Sequence, residues 1–361
     1  MTKALIVGAG INGLCTAWAL VRAGWQVQLV DAGPIPNPLS ASWDYHRIIR
    51  PHYANFPGYG ARIGAAHAAW DVLFTDIGTA PYVERGALSL SHETGDWADI
   101  SAASLAETGV KHEVLDPEDL AHRLPMIETK GVRFALLAGG GALLADQIIT
   151  GLLGWLTRRG VEFTPNCRVL AVDEARGAIS TTSGILQADQ LIVAAGIGLR
   201  DIFPDMAAYT PRRSLVVYAD PPPQWAAAWA AGPCWTGIGG DDDCWGIPPV
   251  GNIPMKLGLG KLSRVADPYR DRPTSQADTD KIIAGYVGRF KDAEAFIPRM
   301  TLANFYLMAP DERFLLQRRG ETLVLSADSG HGFKFGALTG LDMADALAGN
   351  EAAVIQRLAG Y

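Results

Sequence analysis

The sequence predicts an α/β fold combined with an α+β one: a doubly wound parallel-sheet domain interleaved with a second domain on a large mixed β-sheet. Three observations carry this. Lys3–Gly33 reads as strand, glycine turn, helix, strand. The same α/β pattern returns after Leu144 and again near the C-terminus. Between these pieces lie short strand-like segments rich in Trp, Gly and Pro.

Taken in order, "KALIVG" is a continuous apolar run, as expected of a parallel strand covered on both faces. Leu14, Ala17, Trp18 and Val21 recur at helical spacing, Gly24 ends that helix, and "WQVQLV" supplies the next strand. Ile63, Ala66, Trp70 and Leu73 describe a second amphipathic helix over 62–74. "PYVERGALSLS" (Pro81–Ser91) alternates like a half-exposed strand, and "DPEDLAHRLP" is a short helix with Asp116 as cap and Pro117 at its first position. A helix over 146–159 precedes short strands through "VEFTPNCRVLAVD" and "AISTTSGILQADQLIVAAG". One helix is expected around "DTDKIIAGYVGRF", and "ETLVLSADSGHGFKFGALTG" closes the α/β pattern. The nucleotide-binding domain is thus assigned to 1–78, 142–208 and 318–361, and the second domain to 79–141 and 209–317.

A chain with 48% hydrophobic and 19% charged residues can bury two cores. Its net charge of −7, without a basic stretch, argues against nucleic acid as a partner. "GDDDCW" (Gly240–Trp245), the one acidic run, reads as a loop. No apolar stretch is long enough to span a bilayer, and the N-terminus lacks the features of a signal peptide. The four cysteines, Cys15, Cys167, Cys234 and Cys244, have no metal-ligand spacing and no CxxC pair. The expectation is a cytoplasmic monomer with free thiols and no metal.

Gly8, Gly10 and Gly13 form GxGxxG between strand and helix, and Asp31 ends the second strand. Glycine there permits a tight turn, close backbone approach to a pyrophosphate, and tight helix–strand packing; the acid suits ribose hydroxyls. The motif by itself leaves NAD and FAD open. "LIVAAGIGLRDIFP" adds a buried strand ending at Ala195 and Gly196, a second place where backbone can approach a nucleotide. Lys334, in the glycine-rich "SGHGFKFG" (Ser329–Gly336), raises a separate question, because a buried ammonium is costly without a partner. From the residues alone it either snorkels to water or serves a site.

Ordered landmarks along nearly the whole chain resemble the FAD-dependent amino-acid oxidase family, in particular its monomeric sarcosine oxidase and N-methyltryptophan oxidase branch. These are GAGINGL, "HRIIRPHY" (His46–Tyr53), "WGIPPVGNIPMKLGLG" (Trp245–Gly260), "NFYLMAPDERFLL" (Asn304–Leu316) and "SGHGFKFG". The resemblance implies a Rossmann-type FAD domain under a large sheet. It implies oxidation of a C–N bond, imine hydrolysis, and flavin reoxidation by dioxygen to give hydrogen peroxide. It assigns Arg50 and Lys334 to a clamp on the substrate carboxylate, Arg47 to a place against the flavin, and Tyr306 to the pocket wall. Lys256 becomes the lysine held by water over the reactive face, where it stabilises superoxide. The FAD-binding set comprises Gly8, Gly10, Ile11, Asn12, Gly13, Asp31, Ser40, Ser42, Arg47, Val169, Ala195, Gly196, Gly330, Gly332, Phe333 and Lys334.

Four positions depart from the branch's pattern. Asn304 stands where relatives have the cysteine bonded to flavin, so FAD is expected without a covalent link. Trp245 replaces a pocket tyrosine, while Gly260 and Trp43 replace histidines. The oxyanion clamp is kept while the amine-side walls change, which points away from sarcosine itself. The implied activity is a flavin oxidase for an amine that also carries a carboxylate, N-alkylated or cyclic forms included. A flavin dehydrogenase with another electron acceptor and a flavin-bearing accessory subunit stand as alternatives. His46 and His331 receive no catalytic role.

Overall fold

The computed structural model describes residues 1–326 and 328–360. A six-stranded sheet runs in the order Leu315–Arg319, Thr322–Ser326, Gln190–Val193, Lys3–Val7, Gln26–Val30, Glu162–Thr164. Its neighbours are parallel except Leu315–Arg319, which pairs antiparallel with Thr322–Ser326. That edge strand straddles residue 318, where the sequence places a domain boundary.

Alternation explains why the central strands of this sheet are largely apolar. Ala4, Ile6, Leu29, Ile192, Leu323 and Leu325 enter the core beneath the helices. Leu5, Val7, Val30, Leu191, Val193 and Val324 enter a second core on the opposite face. A small antiparallel sheet, Val169–Asp173, Ala178–Thr181 and Gly184–Gln187, contributes to that second core. On the helical side, Ile11–Arg22 packs against Gly332–Asp345. Two glycines permit the approach. A Cβ at Gly336 would lie 2.7 Å from Ile11 Cγ1, and one at Gly340 would lie 2.3 Å from the Cys15 carbonyl oxygen.

The larger sheet has nine strands. At one end stands the long antiparallel pair Thr210–Asp220 and Ile297–Met308, followed by Met255–Leu259, Cys244–Ile247, Cys234–Ile238 and Ala87–Ser91. The sheet is mixed because Cys234–Ile238 runs parallel to Ala87–Ser91. One face buries Leu215, Val217, Leu257, Leu259 and Trp235 in a core of its own. The alternate residues of the same strands, Arg212, Ser214, Val216, Lys256 and Trp245, face a cavity.

Two expectations are corrected. Pro81–Ser91 is not one strand: it divides at Gly86, whose φ of +72° is left-handed. Tyr82–Glu84 then pairs with Gly141–Leu143, while Ala87–Ser91 joins the large sheet. The helix beginning at Gln276 stops at Ala284, short of "GYVGRF". Gly285 follows it, where a Cβ would meet Leu259 at 2.4 Å.

Candidate active site

A groove of about 410 Å³ opens at the C-terminal ends of the parallel strands, where such sheets bind nucleotides. Gly8, Gly10, Ile11, Asn12, Asp31, Ser40, Ser42, Val169, Ala195 and Gly196 all line it. Gly8 has a φ of +108°, and a Cβ there would lie 2.4 Å from the Ala194 carbonyl oxygen, so two strand ends meet at a residue without a side chain. Gly10 caps the first helix without a side-chain bond, while the Ile11 N–H donates to Ser42 Oγ at 2.8 Å. Asn12 Oδ1 is buried and has no protein partner among the described residues. Asp31 accepts from the N–H groups of Ala9 and Gly33, both at 2.8 Å, and from Asn37 Nδ2 at 3.1 Å. Gly13 lies off the groove wall. A Cβ on it would sit 1.9 Å from the Gly8 carbonyl oxygen, so its part is packing.

These residues fit a dinucleotide. A helix N-terminus that lines the groove, a glycine cradle and an unpartnered buried amide oxygen suit a pyrophosphate and its neighbouring hydroxyls.

A second cavity, of about 530 Å³, adjoins the groove and shares Ile11, Ser42, Tyr306 and Asp328 with it. Arg50, Lys334, Lys256, Tyr306, Trp245, Arg47, Gly330, Gly332 and Phe333 all line this cavity. Lys334 lies within the first turn of the helix Gly332–Asp345 rather than in the turn before it. A cation at a helix N-terminus opposes the helix dipole, and this side chain is only 6% exposed. Burial and the neighbouring Arg50 lower its pKa to about 7, against the opposing pull of Asp328. The Arg50 guanidinium lies over the rings of Tyr53 and Trp97, at 5.0 and 5.3 Å, and donates to the His52 carbonyl oxygen. Burial lowers the Arg50 pKa too. Two desolvated cations thus converge against the Tyr53 ring in the cavity wall, an arrangement that favours an anion between them.

Lys256 occupies a different environment. Its Nζ donates directly to Asp44 Oδ2 at 2.5 Å and to the His46 carbonyl oxygen at 3.1 Å, and both charged side chains are 1% exposed. Protein groups therefore fix its position. Asp44 also accepts from Arg47, Tyr218 and, at 3.3 Å, Asn304 Nδ2. Burial raises the Asp44 carboxyl, but Arg47 and Lys256 outweigh it and hold it well below the usual carboxylate range. Burial and Arg47 bring Lys256 down to about 8, opposed by Asp44. Arg47 further donates to the Ala41 carbonyl oxygen at 2.5 Å. Burial keeps His46 near 3, hence neutral.

The large sheet forms the remaining wall. Trp245 is opposite Gly258 in register, and a Cβ at Gly258 would lie 2.4 Å from its ring. The Tyr306 hydroxyl is 3.3 Å from that of Ser263, and Tyr306 is opposite Arg212. Arg212, Trp97, Asp44 and Asp243 line or organise the cavity and carried no motif. Asp243 belongs to the acidic run that reads as a loop; its area is open, but its open face looks into the cavity.

None of the helices among the described residues is long and apolar enough to cross a membrane. The family described as FAD dependent oxidoreductase matches residues 3–346. Peroxisomal sarcosine oxidase of Homo sapiens is 28% identical over 363 residues, covering 93% of this chain and 90% of that protein. N-methyl-L-tryptophan oxidase of Yersinia pestis (strain Pestoides F) is 22% identical over 344 residues, covering 93% and 92%. The crystal structure of L-proline dehydrogenase from P. horikoshii superposes with a TM-score of 0.82 at 14% identity, covering 97% of this chain and 94% of that one. That superposition speaks for the fold. The family match spans nearly the whole chain, and the protein belongs to the DAO family of FAD-dependent oxidoreductases.

Proposed function

We propose that this protein oxidises the C–N bond of an amino acid, or of an N-alkyl or cyclic amino acid, to an imine, and passes the electrons to dioxygen as hydrogen peroxide. The observation that carries the reading is the convergence of Arg50 and Lys334 against Tyr53 in a cavity that adjoins the nucleotide groove. FAD, when bound, supplies the two-electron acceptor. Gly8–Asn12, Asp31 and Ser42 would hold it, and Asn304 at the place of the relatives' cysteine supports a non-covalent attachment.

The chain's own residues supply binding and charge. Arg50 and Lys334 take the carboxylate, which turns the substrate's amine-bearing carbon towards the shared wall of Ile11, Ser42 and Tyr306. Trp245 and Tyr306 exclude water from that side. Lys256, held by Asp44, provides a fixed cation where dioxygen acquires negative charge. The assignment of 1–78, 142–208 and 318–361 to the FAD domain, with the rest forming the substrate domain, belongs to this reading.

The direct Asp44–Lys256 bond also favours a second reading, a dehydrogenase that uses another acceptor, because it offsets part of the lysine's charge. One screen separates the two. Amino acids, N-methyl amino acids, cyclic imino acids and aminophosphonates are mixed with the enzyme without oxygen, then with it. Bleaching followed by peroxide supports the oxidase, and bleaching without peroxide the dehydrogenase. Failure of every compound to bleach the flavin overturns both.

A further inference from the structure

The strand Cys244–Ile247 and the residue before it present three side chains to the cavity, Asp243, Trp245 and Ile247, at the alternation of a β-strand. The facing strand offers Lys256 opposite Ile247 and Gly258 opposite Trp245. The ladder continues one step further, because the Gly260 N–H donates to the Asp243 carbonyl oxygen at 2.9 Å. Each glycine clears the space that its partner fills. A Cβ at Gly258 would lie 2.4 Å from Trp245, and a Cβ at Gly260 would lie 2.0 Å from Asp243 Oδ2. The Asp243 carboxylate therefore occupies a place in the cavity wall that a side chain at 260 would close.

The neighbouring acid shows the contrast. Asp242 is ion-paired with Lys261 and Arg289. Asp243 has no ion pair within 4.0 Å among the described residues, although Arg50 is near enough for each to shift the other's ionisation. Its backbone stands at a φ of +45°, a conformation that aspartate and asparagine adopt more readily than most residues.

We propose that Asp243 sets specificity by charge: with the substrate carboxylate on Arg50 and Lys334, it accepts a cationic or hydrogen-bond-donating group on the substrate and rejects a second carboxylate. This rests on the proposed carboxylate clamp and deepens it. The substrate class is an amino acid with a basic or donor-bearing side chain or N-substituent. An acidic side chain is disfavoured twice, by repulsion and by loss of the donor.

Calorimetric titration of the FAD-loaded protein with three carboxylates of similar length, 5-aminopentanoate, hexanoate and glutarate, tests this without turnover. The parent should bind them in that order of decreasing affinity, with the first and last separated by at least about tenfold, the scale of one hydrogen bond to a charged group. Asp243→Asn keeps the backbone preference and should bring the three within about threefold of one another. Gly260→Ala should do the same by driving the carboxylate from its place. An order in the parent that ignores charge, or one that survives in both variants, overturns the proposal. Loss of all carboxylate binding in the parent overturns it together with the clamp. The expected order without bleaching by any amine would instead sink the oxidation reading and leave this one standing.

Discussion

Replacing Lys256 by methionine separates the two halves of the proposed reaction. Around Asp44 the buried charges are two cations, Arg47 and Lys256, against one carboxylate, so the cluster is positive only while Lys256 is charged. Nζ lies 5.8 Å from the Trp245 ring on the cavity wall, which sets the scale for an anion lodged there. A unit charge at about 6 Å in an effective dielectric of about 20 contributes about 2.8 kcal/mol, or about 10²-fold in rate. Methionine keeps most of the stem's volume, and Asp44 retains Arg47, Tyr218 and Asn304, so the fold should persist. The flavin is reduced with dithionite, excess reductant is removed, and the protein is mixed with aerated buffer in a stopped-flow instrument. Recolouring of Lys256→Met should be slower than the parent's by about 10²-fold. Recolouring at the parent's rate would refute the argument, and Lys256 would then serve only to neutralise Asp44.

Three further outcomes are expected. Lys334 in the free site titrates near 7, and a bound carboxylate favours its charged form, so binding takes up a proton above that pH. Carboxylate affinity should be flat below about pH 7 and weaken by up to about tenfold per pH unit above it, whereas Lys334→Met should show a flat profile; a parent profile flat from acid to alkaline pH would count against this. Acid precipitation should leave all the flavin in the supernatant, since Asn304 offers no thiol; colour in the pellet would contradict a non-covalent site. Gly340→Ala should destabilise the protein by at least about 2 kcal/mol in denaturant, because its Cβ meets a backbone oxygen that cannot swing aside; an unchanged midpoint would show that the two helices can separate freely.

The centre of the six-stranded sheet was legible because its strands, buried on both faces, are largely apolar, and the glycine motif follows the first of them. The large sheet was less so. Apart from the long pair Thr210–Asp220 and Ile297–Met308 its strands are short, one face is lined with polar residues, and the parallel pairing of Cys234–Ile238 with Ala87–Ser91 joins segments far apart in the chain. Arg50, Lys256 and Lys334 could be proposed from the order of the landmarks, and the fold brings all three to the wall of one cavity. Asp44 carried no such signal, because a lone aspartate says nothing until Lys256 is brought against it from a distant part of the chain. Asp243 hid in an acidic run whose members diverge only in three dimensions, one towards Arg289 and Lys261, the other into the cavity.

The close crossing of Ile11–Arg22 and Gly332–Asp345 has a consequence for biosynthesis. The helix that carries Lys334 is synthesised long after the one that receives it on Ile11 and Cys15. Until the late helix docks, the early one presents a bare apolar flank, and the cavity lacks Lys334 and Phe333 from its wall. A chain halted after the large sheet would have the glycine cradle and no finished site. A fully formed pocket therefore waits for the late helix, and flavin retention should report whether that helix has docked.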